Sequence, residues 1–440
     1  MAEIAPMTPL RYDLVRLASE GGLAGVVAPP YDVIDAEERA SLAARHPHNI
    51  VKLILPEGEG DTRYAHAADL FRAWRSEGAL VRDDDPAFYR YEQTFTPPGG
   101  GAPRTRRGFL GLVKIVPLDR GVVLPHERTL SGPKEDRLKL FRATQTNLSP
   151  GFMLYQDPAR ALDAPLSSGK ELARFETTDG IRHVLSKITD RDALRAIVSG
   201  VASSSLLIAD GHHRYETALR YSREAPPSSI ERPEHDYFMV YFANGDDPDL
   251  LVFPTHRHLH SLPSFDFAAA LEGVRSLFDV TMLPPGASAE VYTAALSASG
   301  AERPSLVLCG GDGRAALLGL RADADLGSHP ILKTRVPALR RTDVALLHMG
   351  ILEPVLHITP EAQAAKTNLW YPQDAARALA ELRGNKGQAL FLMNATPVRD
   401  VRSVAEAGEV MPQKSTFFFP KVPTGLAVHT LDPTRSVPSL

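Results

Sequence analysis

The chain has 440 residues, 43% hydrophobic and 23% charged, which is enough to bury cores in two or three units of roughly 150 residues each. With 49 basic and 53 acidic residues the formal charge is -4, which counts against a protein that grips nucleic acid along its length. The single cysteine, Cys309, excludes an internal disulfide and a cysteine-based zinc site, and no window approaches the ~18 uninterrupted apolar residues of a membrane span.

The N-terminus, Met1 to Pro6, lacks the basic start and apolar stretch of a signal peptide, so the cytoplasm is the expected compartment. Asp35-Ala36-Glu37-Glu38 reads as a capping box that opens a helix to about Arg45. A second helix is expected from about Tyr64 to Glu77, with Leu70, Phe71 and Trp74 on one face and Gly78 as its stop. Phe88 to Phe95 and Arg107 to Ile115 look like two strands of a hairpin joined by the Pro/Gly-rich loop 97–103. Val122-Val123-Leu124 then leads into a dense polar stretch from His126 to Arg142.

Short strands are expected at Phe152 to Tyr155 and His183 to Leu185, and Asp190 caps a helix to about Val201. Leu206 to Ala209 has the composition of a buried strand, followed at once by a polar turn and a helix from about Tyr215 to Arg223. Further strands fall at Tyr237 to Phe242 and Leu250 to Pro254. The last third alternates helices (Phe265 to Phe278, Val344 to Leu352, Ala375 to Leu382, Val398 to Ala407) with strands (Leu306 to Cys309, Ala315 to Leu320, Ala389 to Met393). Cys309 reads as a buried strand thiol, and Gly310-Gly311-Asp312-Gly313 as a hairpin turn. Hairpins mixed with alternation give an α/β or α+β protein with mixed sheets.

The stretch Asp210-Gly211-His212-His213-Arg214 carries the most chemistry. Glycine after an apolar strand permits a tight turn and close approach of a ligand. The helix beyond it aims its first N–H groups and its positive dipole end above that turn. Arg214 can fork onto phosphate oxygens, and His212 and His213 can donate hydrogen bonds or carry protons. Two other readings stay open: local capping, with Arg214 paired to Glu216 or Asp210, and metal ligation by Asp210, His212 and His213.

Asp210 to Arg214, with Ala218 four residues on, resembles the phosphate-binding motif of the ParB/sulfiredoxin/free-serine-kinase superfamily. ParB members usually carry Gly-Glu-Arg-Arg at this place and the serine kinases Asp-Gly-His-His-Arg, so the run sides with the kinases. A second resemblance spans nearly the whole chain. The blocks Ala28 to Val33, Pro125 to Thr129, Lys134 to Arg137, Asn147 to Pro150, Pro254 to Arg257 and Gly408 to Thr416 are similar to the family called domain of unknown function 1015. Together these imply a ParB/serine-kinase-like core at 119–262, between an N-terminal α/β region at 1–118 and a C-terminal one at 263–440.

Other polar clusters bear on that expectation. Pro125-His126-Glu127-Arg128-Thr129 concentrates an acid, two bases and a hydroxyl. A kinase acting on an alcohol needs a carboxylate for the hydroxyl proton and cations for the phosphoryl oxygens. Glu127 is the candidate base, with His126 and His213 beside it in the catalytic set, and Arg128 and Lys134 are candidate phosphate or substrate contacts. Glu135 and Asp136 could hold Mg²⁺ carried by ATP or ADP, or Glu135 could simply pair with Lys139. His256 and Arg257 could bind a substrate carboxylate. Gly408 to Ser415 almost spells a P-loop, but Gln413 and Pro412 spoil the cradle, so only Lys414, Ser415 and Thr416 remain as possible anion contacts.

The expected function is therefore a nucleotide-dependent phosphotransferase acting on a small hydroxylated metabolite, with free serine implied by the resemblance. The alternatives are a nucleotide-hydrolysing ParB-like switch and a metal-dependent hydrolase. Nucleotide and a small molecule are the expected partners, with no membrane, no nucleic acid and no dedicated protein metal site.

Overall fold

Apolar runs bounded by turn residues make the strands of two large sheets, one in each of two compact units. The computed structural model describes residues 1–98, 100–129 and 131–440; residue 99 of the hairpin loop and residue 130 of the polar stretch lie outside it. The first unit comprises Met1–Pro125, Thr129–Leu251 and Pro420–Leu440, and the second His126–Arg128 and Val252–Phe419. The expected break at 118/119 is not a division of the fold, because strands on either side of it belong to one sheet.

In the first unit the sheet strands are β1 (Ile4–Ala5), β2 (Phe88–Phe95), β3 (Arg104–Lys114), β4 (Val123–Leu124), β5 (Gly151–Tyr155), β6 (Lys170–Glu176), β7 (Arg182–Ile188), β8 (Leu206–Asp210) and β9 (Tyr237–Asn244). Their order is β4-β8-β5-β9-β3-β2-β7-β6, with β1 also beside β3. The pairs β4–β8 and β5–β9 are parallel and the others antiparallel, so this is a mixed sheet. β2 and β3 form the expected hairpin, in a register that sets Gln93 opposite Arg106. β9 is buried at every position, as a central strand covered on both faces must be. Two helices position the polar residues of this unit: α1 (Ser131–Thr144), within the polar stretch, and α3 (His212–Glu224), directly after β8.

Between them in sequence, α2 (Arg191–Ala202) starts at Asp190, whose side chain accepts the Ala193 N–H at 2.8 Å. It buries Leu194, Ile197 and Val201 in a core with Met153, Ile208, Tyr215 and Phe242. Each such aliphatic side chain contributes about 1.5–3 kcal/mol on burial. The same capping logic holds at Asp35, which accepts the Glu38 N–H and opens the helix Ala36–Arg45.

The second unit has a six-stranded sheet that is antiparallel throughout. Its strands are β10 (Arg257–Leu259), β11 (Phe278–Leu283), β12 (Ser305–Gly310), β13 (Ala315–Leu320), β14 (Leu369–Trp370) and β15 (Ala389–Met393), in the order β11-β13-β12-β15-β10-β14. The helices Ala289–Gly300 and Ala375–Arg383 cover it through Tyr292, Leu296, Leu379 and Leu382. Cys309 lies in that core, and burial pushes its thiol up to about 12. The turn at 310–313 closes the β12–β13 hairpin as expected. Two expected helices end differently. Phe265 to Phe278 shortens to Phe267–Val274 because Phe278 opens β11, and Val344 to Leu352 divides into an α-helical turn and then a π-helix, His348–Leu352. Among the described residues no helix is long and apolar enough to cross a membrane.

Candidate anion-binding site

β8 ends at Asp210, and Gly211 turns the chain with φ 92°, in the left-handed region that glycine tolerates best. The helix begins at His212, three residues before the expected start, so both imidazoles lie in its first turn. Gly211 is the N-cap and brings no side chain to satisfy the opening N–H groups, while the helix dipole adds partial positive charge there. Such an end stabilises an anion.

The side chains around the turn form a chain of polar contacts that runs from partly exposed to fully buried. Arg214 folds back so that Nη2 donates to Asp210 and Nη1 to the Pro150 carbonyl. Lys421 donates to the other oxygen of Asp210 at 2.7 Å. The Lys421 carbonyl accepts from Gln93 Nε2 at 3.0 Å, and Gln93 Oε1 accepts from Arg106 Nη2. Arg106 is 1% exposed, with its guanidinium 4.8 Å from the Phe152 ring centre and 5.3 Å from that of Tyr241. Its Nε and Nη1 have no hydrogen-bond partner among the described residues.

Three cations, Arg106, Arg214 and Lys421, thus gather around one carboxylate. Burial alone would raise the pKa of Asp210, but Lys421, Arg214 and His212 overcome it and hold the carboxyl far below its usual range. Burial lowers the pKa of Arg106, and the neighbouring Tyr241 acts against that. Of these cations Arg106 and Arg214 are buried and Lys421 is partly exposed, and a buried charge is costly when it is not paired.

The geometry changes the part Arg214 can play. Its terminal nitrogens are committed to Asp210 and Pro150, which is the local pairing that the sequence left open, so the guanidinium braces the turn. A cavity it lines with Tyr31, Arg137, Asn147 and Ser149 measures about 10 Å³, room for one water at most. Arg106 and Lys421 were not singled out from the sequence. The available signal was that Arg106 is buried among the polar opening residues of β3, while Thr105 and Arg107 beside it are only partly buried, and it becomes visible only once β2 and β3 are paired.

His213 is half-buried, and its carbonyl accepts from Thr217 Oγ1 at 2.7 Å. Lys134 donates to Glu216 at 2.8 Å, and Thr129 donates to the same carboxylate, so the charge of Lys134 is already balanced. Glu135 and Asp136 do not fit a metal. Asp136 accepts from Tyr64, Arg63 and Arg137, and Glu135 pairs with Arg220 at 2.9 Å and Arg142 at 3.9 Å. The expected Glu135–Lys139 pair is replaced, because Lys139 reaches Asp61 instead. Asp210, His212 and His213 do not converge as metal ligands either. Among the described residues only Glu20, His46 and His48 bring three ligand atoms within 4.8 Å. There His46 Nδ1 accepts the His48 N–H at 2.9 Å, which places its proton on Nε2, toward Glu20, where a metal would need the lone pair.

The second unit gathers the other sequence clusters. His126 Nε2 lies 2.9 Å from Thr416 Oγ1, the His126 carbonyl accepts from Met411, and Glu127 Oε1 accepts the Ser415 N–H at 3.1 Å. Arg257 is fully engaged: it donates to the Thr255, Gln413 and Lys414 carbonyls and, through Nε, to His348 Nε2 at 2.9 Å. It therefore ties down the 408–416 loop and has no donor fork to offer a substrate carboxylate. His256 is a core histidine whose Nδ1 accepts from Met393, and burial with the charge of Arg257 brings its pKa down to about 4. Ser415 donates its hydroxyl to Pro412, and Lys414 is exposed in a left-handed conformation at φ 58°. Arg128 is exposed.

A comparison with curated proteins gives no match. Among solved structures, the chain is similar to a conserved hypothetical protein from Pyrococcus furiosus (15% identity, covering 72% of this chain and 94% of that one, TM-score 0.36). It is also similar to a free serine kinase in complex with AMP (12% identity, 72% and 90% covered, TM-score 0.38) and to a C-terminally truncated SbnI from Staphylococcus aureus (11% identity, 73% and 87% covered, TM-score 0.36). The blocks that suggested a family from the sequence fall within or beyond a continuous match over residues 4–345, and the chain belongs to the family described as protein of unknown function (DUF1015).

Proposed function

We propose that the β8–α3 turn, with Arg106 and Lys421, binds the phosphoryl groups of a nucleotide, and that the protein is a phosphotransferase acting on a small hydroxylated metabolite. The observation that carries this reading is the gathering of Arg106, Arg214 and Lys421 near Asp210 at the start of α3, with Arg106 Nε and Nη1 lacking a hydrogen-bond partner among the described residues. A phosphate suits such a cluster: it is anionic, it accepts several hydrogen bonds, and it matches both guanidinium and backbone donors. Arg106 and the Lys421 ammonium would supply the positive charge for the phosphoryl groups, and Arg214 would hold Asp210 and the turn in place.

The acceptor implied by the Asp-Gly-His-His-Arg resemblance is free serine. Mg²⁺ would arrive with ATP or ADP, since Glu135 and Asp136 are neutralised by arginines. The site requires one anion, and a ligand at 100 times its Kd adds about 2.7 kcal/mol of stability.

The test is a thermal-shift panel of nucleotides on wild type, Arg106→Gln, Lys421→Gln and Arg214→Ala. At least one nucleotide should raise the wild-type Tm by several degrees, and Arg106→Gln and Lys421→Gln should lose most of that rise. If no nucleotide stabilises the wild type, or if all three variants respond as it does, the reading fails. Glu127→Gln addresses the proton acceptor separately: it is expected to keep nucleotide binding and to lose turnover that depends on an added hydroxylated metabolite.

A further inference from the structure

We infer that the second unit carries its own pocket for a short carboxylate with a small apolar body. A cavity of 170 Å³ is lined by Arg128, Arg335, Glu353, Gln363, Tyr371 and the loop 410–413. Sites for drug-sized ligands begin at about 300 Å³, so this one suits a small metabolite and is too small for a nucleotide.

Arg335 supplies the first observation. Its Nε is buried and has no hydrogen-bond partner among the described residues, and its Nη1 keeps only a loose 3.8 Å approach to Glu409. The Nε–Nη2 edge of a guanidinium is a donor fork shaped for a planar carboxylate, and in Arg335 the Nε on that edge has no partner among the described residues while the Glu409 approach is made by Nη1, on the other side. Arg128 adds a second cation to the lining, Glu353 is the one carboxylate within it, and Met349, Ala364 and Pro412 offer apolar surface.

The second observation is that His348 and Gln363 in the lining are held by a relay of hydrogen bonds. Arg257 Nε donates to His348 Nε2 at 2.9 Å, which places the imidazole proton on Nδ1. That proton is donated to Gln363 Oε1 at 2.7 Å, and Gln363 Nε2 donates to the Ile358 carbonyl at 2.8 Å. Burial, helped by the charge of Arg257, pulls His348 down to about 3, so the relay keeps one proton arrangement near neutral pH. His348 also begins the π-helix His348–Leu352, a rare element that is frequent at functional sites. A wall organised in this way loses little freedom when a ligand enters.

The inference does not depend on the phosphate reading, and one experiment separates the two. Titration calorimetry on the full chain would use acetate, butyrate, hexanoate and their 2-hydroxy derivatives, with butyramide as the neutral isostere and inorganic phosphate as the rival anion. A carboxylate should bind wild type at least tenfold more tightly than butyramide. Arg335→Gln should weaken it at least tenfold, Arg335→Lys and Arg128→Gln by less, and Arg106→Gln not at all. The inference is overturned if no carboxylate binds, if Arg335→Gln binds as wild type does, or if phosphate alone binds and depends on Arg335. Loss of carboxylate binding in Arg106→Gln would overturn it as well, by moving the site to the first unit.

Discussion

Two fully buried arginines, Arg106 in the first unit and Arg257 in the second, are in opposite conditions. Both are 1% exposed and both sit against aromatic rings, Arg106 on Phe152 and Tyr241 and Arg257 on Tyr371 at 4.9 Å. Arg257 spends its donors on three carbonyls and an imidazole, whereas among the described residues Arg106 donates to Gln93, lies against Tyr241, and has Nε and Nη1 without a partner of hydrogen-bonding geometry. The burial of a charge does not by itself mark a site. A buried arginine whose donors are all matched is architecture, and one whose donors are not matched calls for a further partner, which on the proposed function is an anion.

The sharpest way to break this comparison is to replace each arginine by methionine, which fills similar space without charge. Arg257→Met strands three carbonyls and His348 without their donor, and it should destabilise the second unit by about 3–5 kcal/mol in a urea titration. Arg106→Met removes a poorly matched buried charge. It should leave stability unchanged or raise it by about 1–2 kcal/mol, while abolishing the nucleotide-induced rise in Tm. Equal destabilisation by the two substitutions would show that Arg106 is structural too.

The comparison also explains what could be read from the chain. Capping at Asp35 and Asp190, the β2–β3 hairpin, the buried thiol of Cys309 and the strand–turn–helix at 206–224 all depend on neighbours in sequence, and local chemistry located them. Gln93 and Arg106 face each other across a hairpin, and Lys421 comes from a segment more than two hundred residues beyond Asp210. No periodicity reports such a contact. Arg214 and Arg257 show the converse: a guanidinium in a suggestive motif looks available until the carbonyls of Pro150 or Thr255 are placed beside it.

A second test concerns the carboxylate at the centre of the first-unit cluster. The pKa of Asp210 is depressed in the folded state, so its contribution to stability is present above the unfolded value of about 3.9 and is lost as pH falls toward the folded one. Lys421→Met takes away the largest charge holding it down, and should cost about 2 kcal/mol at pH 7. The difference between variant and wild type should shrink as pH falls below about 4, because a protonated Asp210 no longer needs the lysine. Urea midpoints from pH 7 to pH 2 measure this, and a gap constant across the range would mean that Asp210 is not the group coupled to Lys421.

The smallest effect is expected at Gly211, where the backbone and the cluster meet. Its φ of 92° costs an L-residue roughly 1–2 kcal/mol, and a Cβ there would lie 3.0 Å from Arg214 Nε. Gly211→Ala therefore strains the turn and also pushes away the guanidinium that braces Asp210. If the turn only joins strand to helix, the substitution should lower stability by that strain and leave nucleotide binding intact. If it seats a phosphate, affinity should fall about tenfold or more while the loss of stability stays near 1 kcal/mol, because the N–H groups and Asp210 move together out of register with the ligand. Comparing the shift in Tm without nucleotide with the shift at saturating nucleotide separates the two effects in one experiment. Gly211 is the better probe for this purpose, since its substitution leaves every charge in the cluster unchanged.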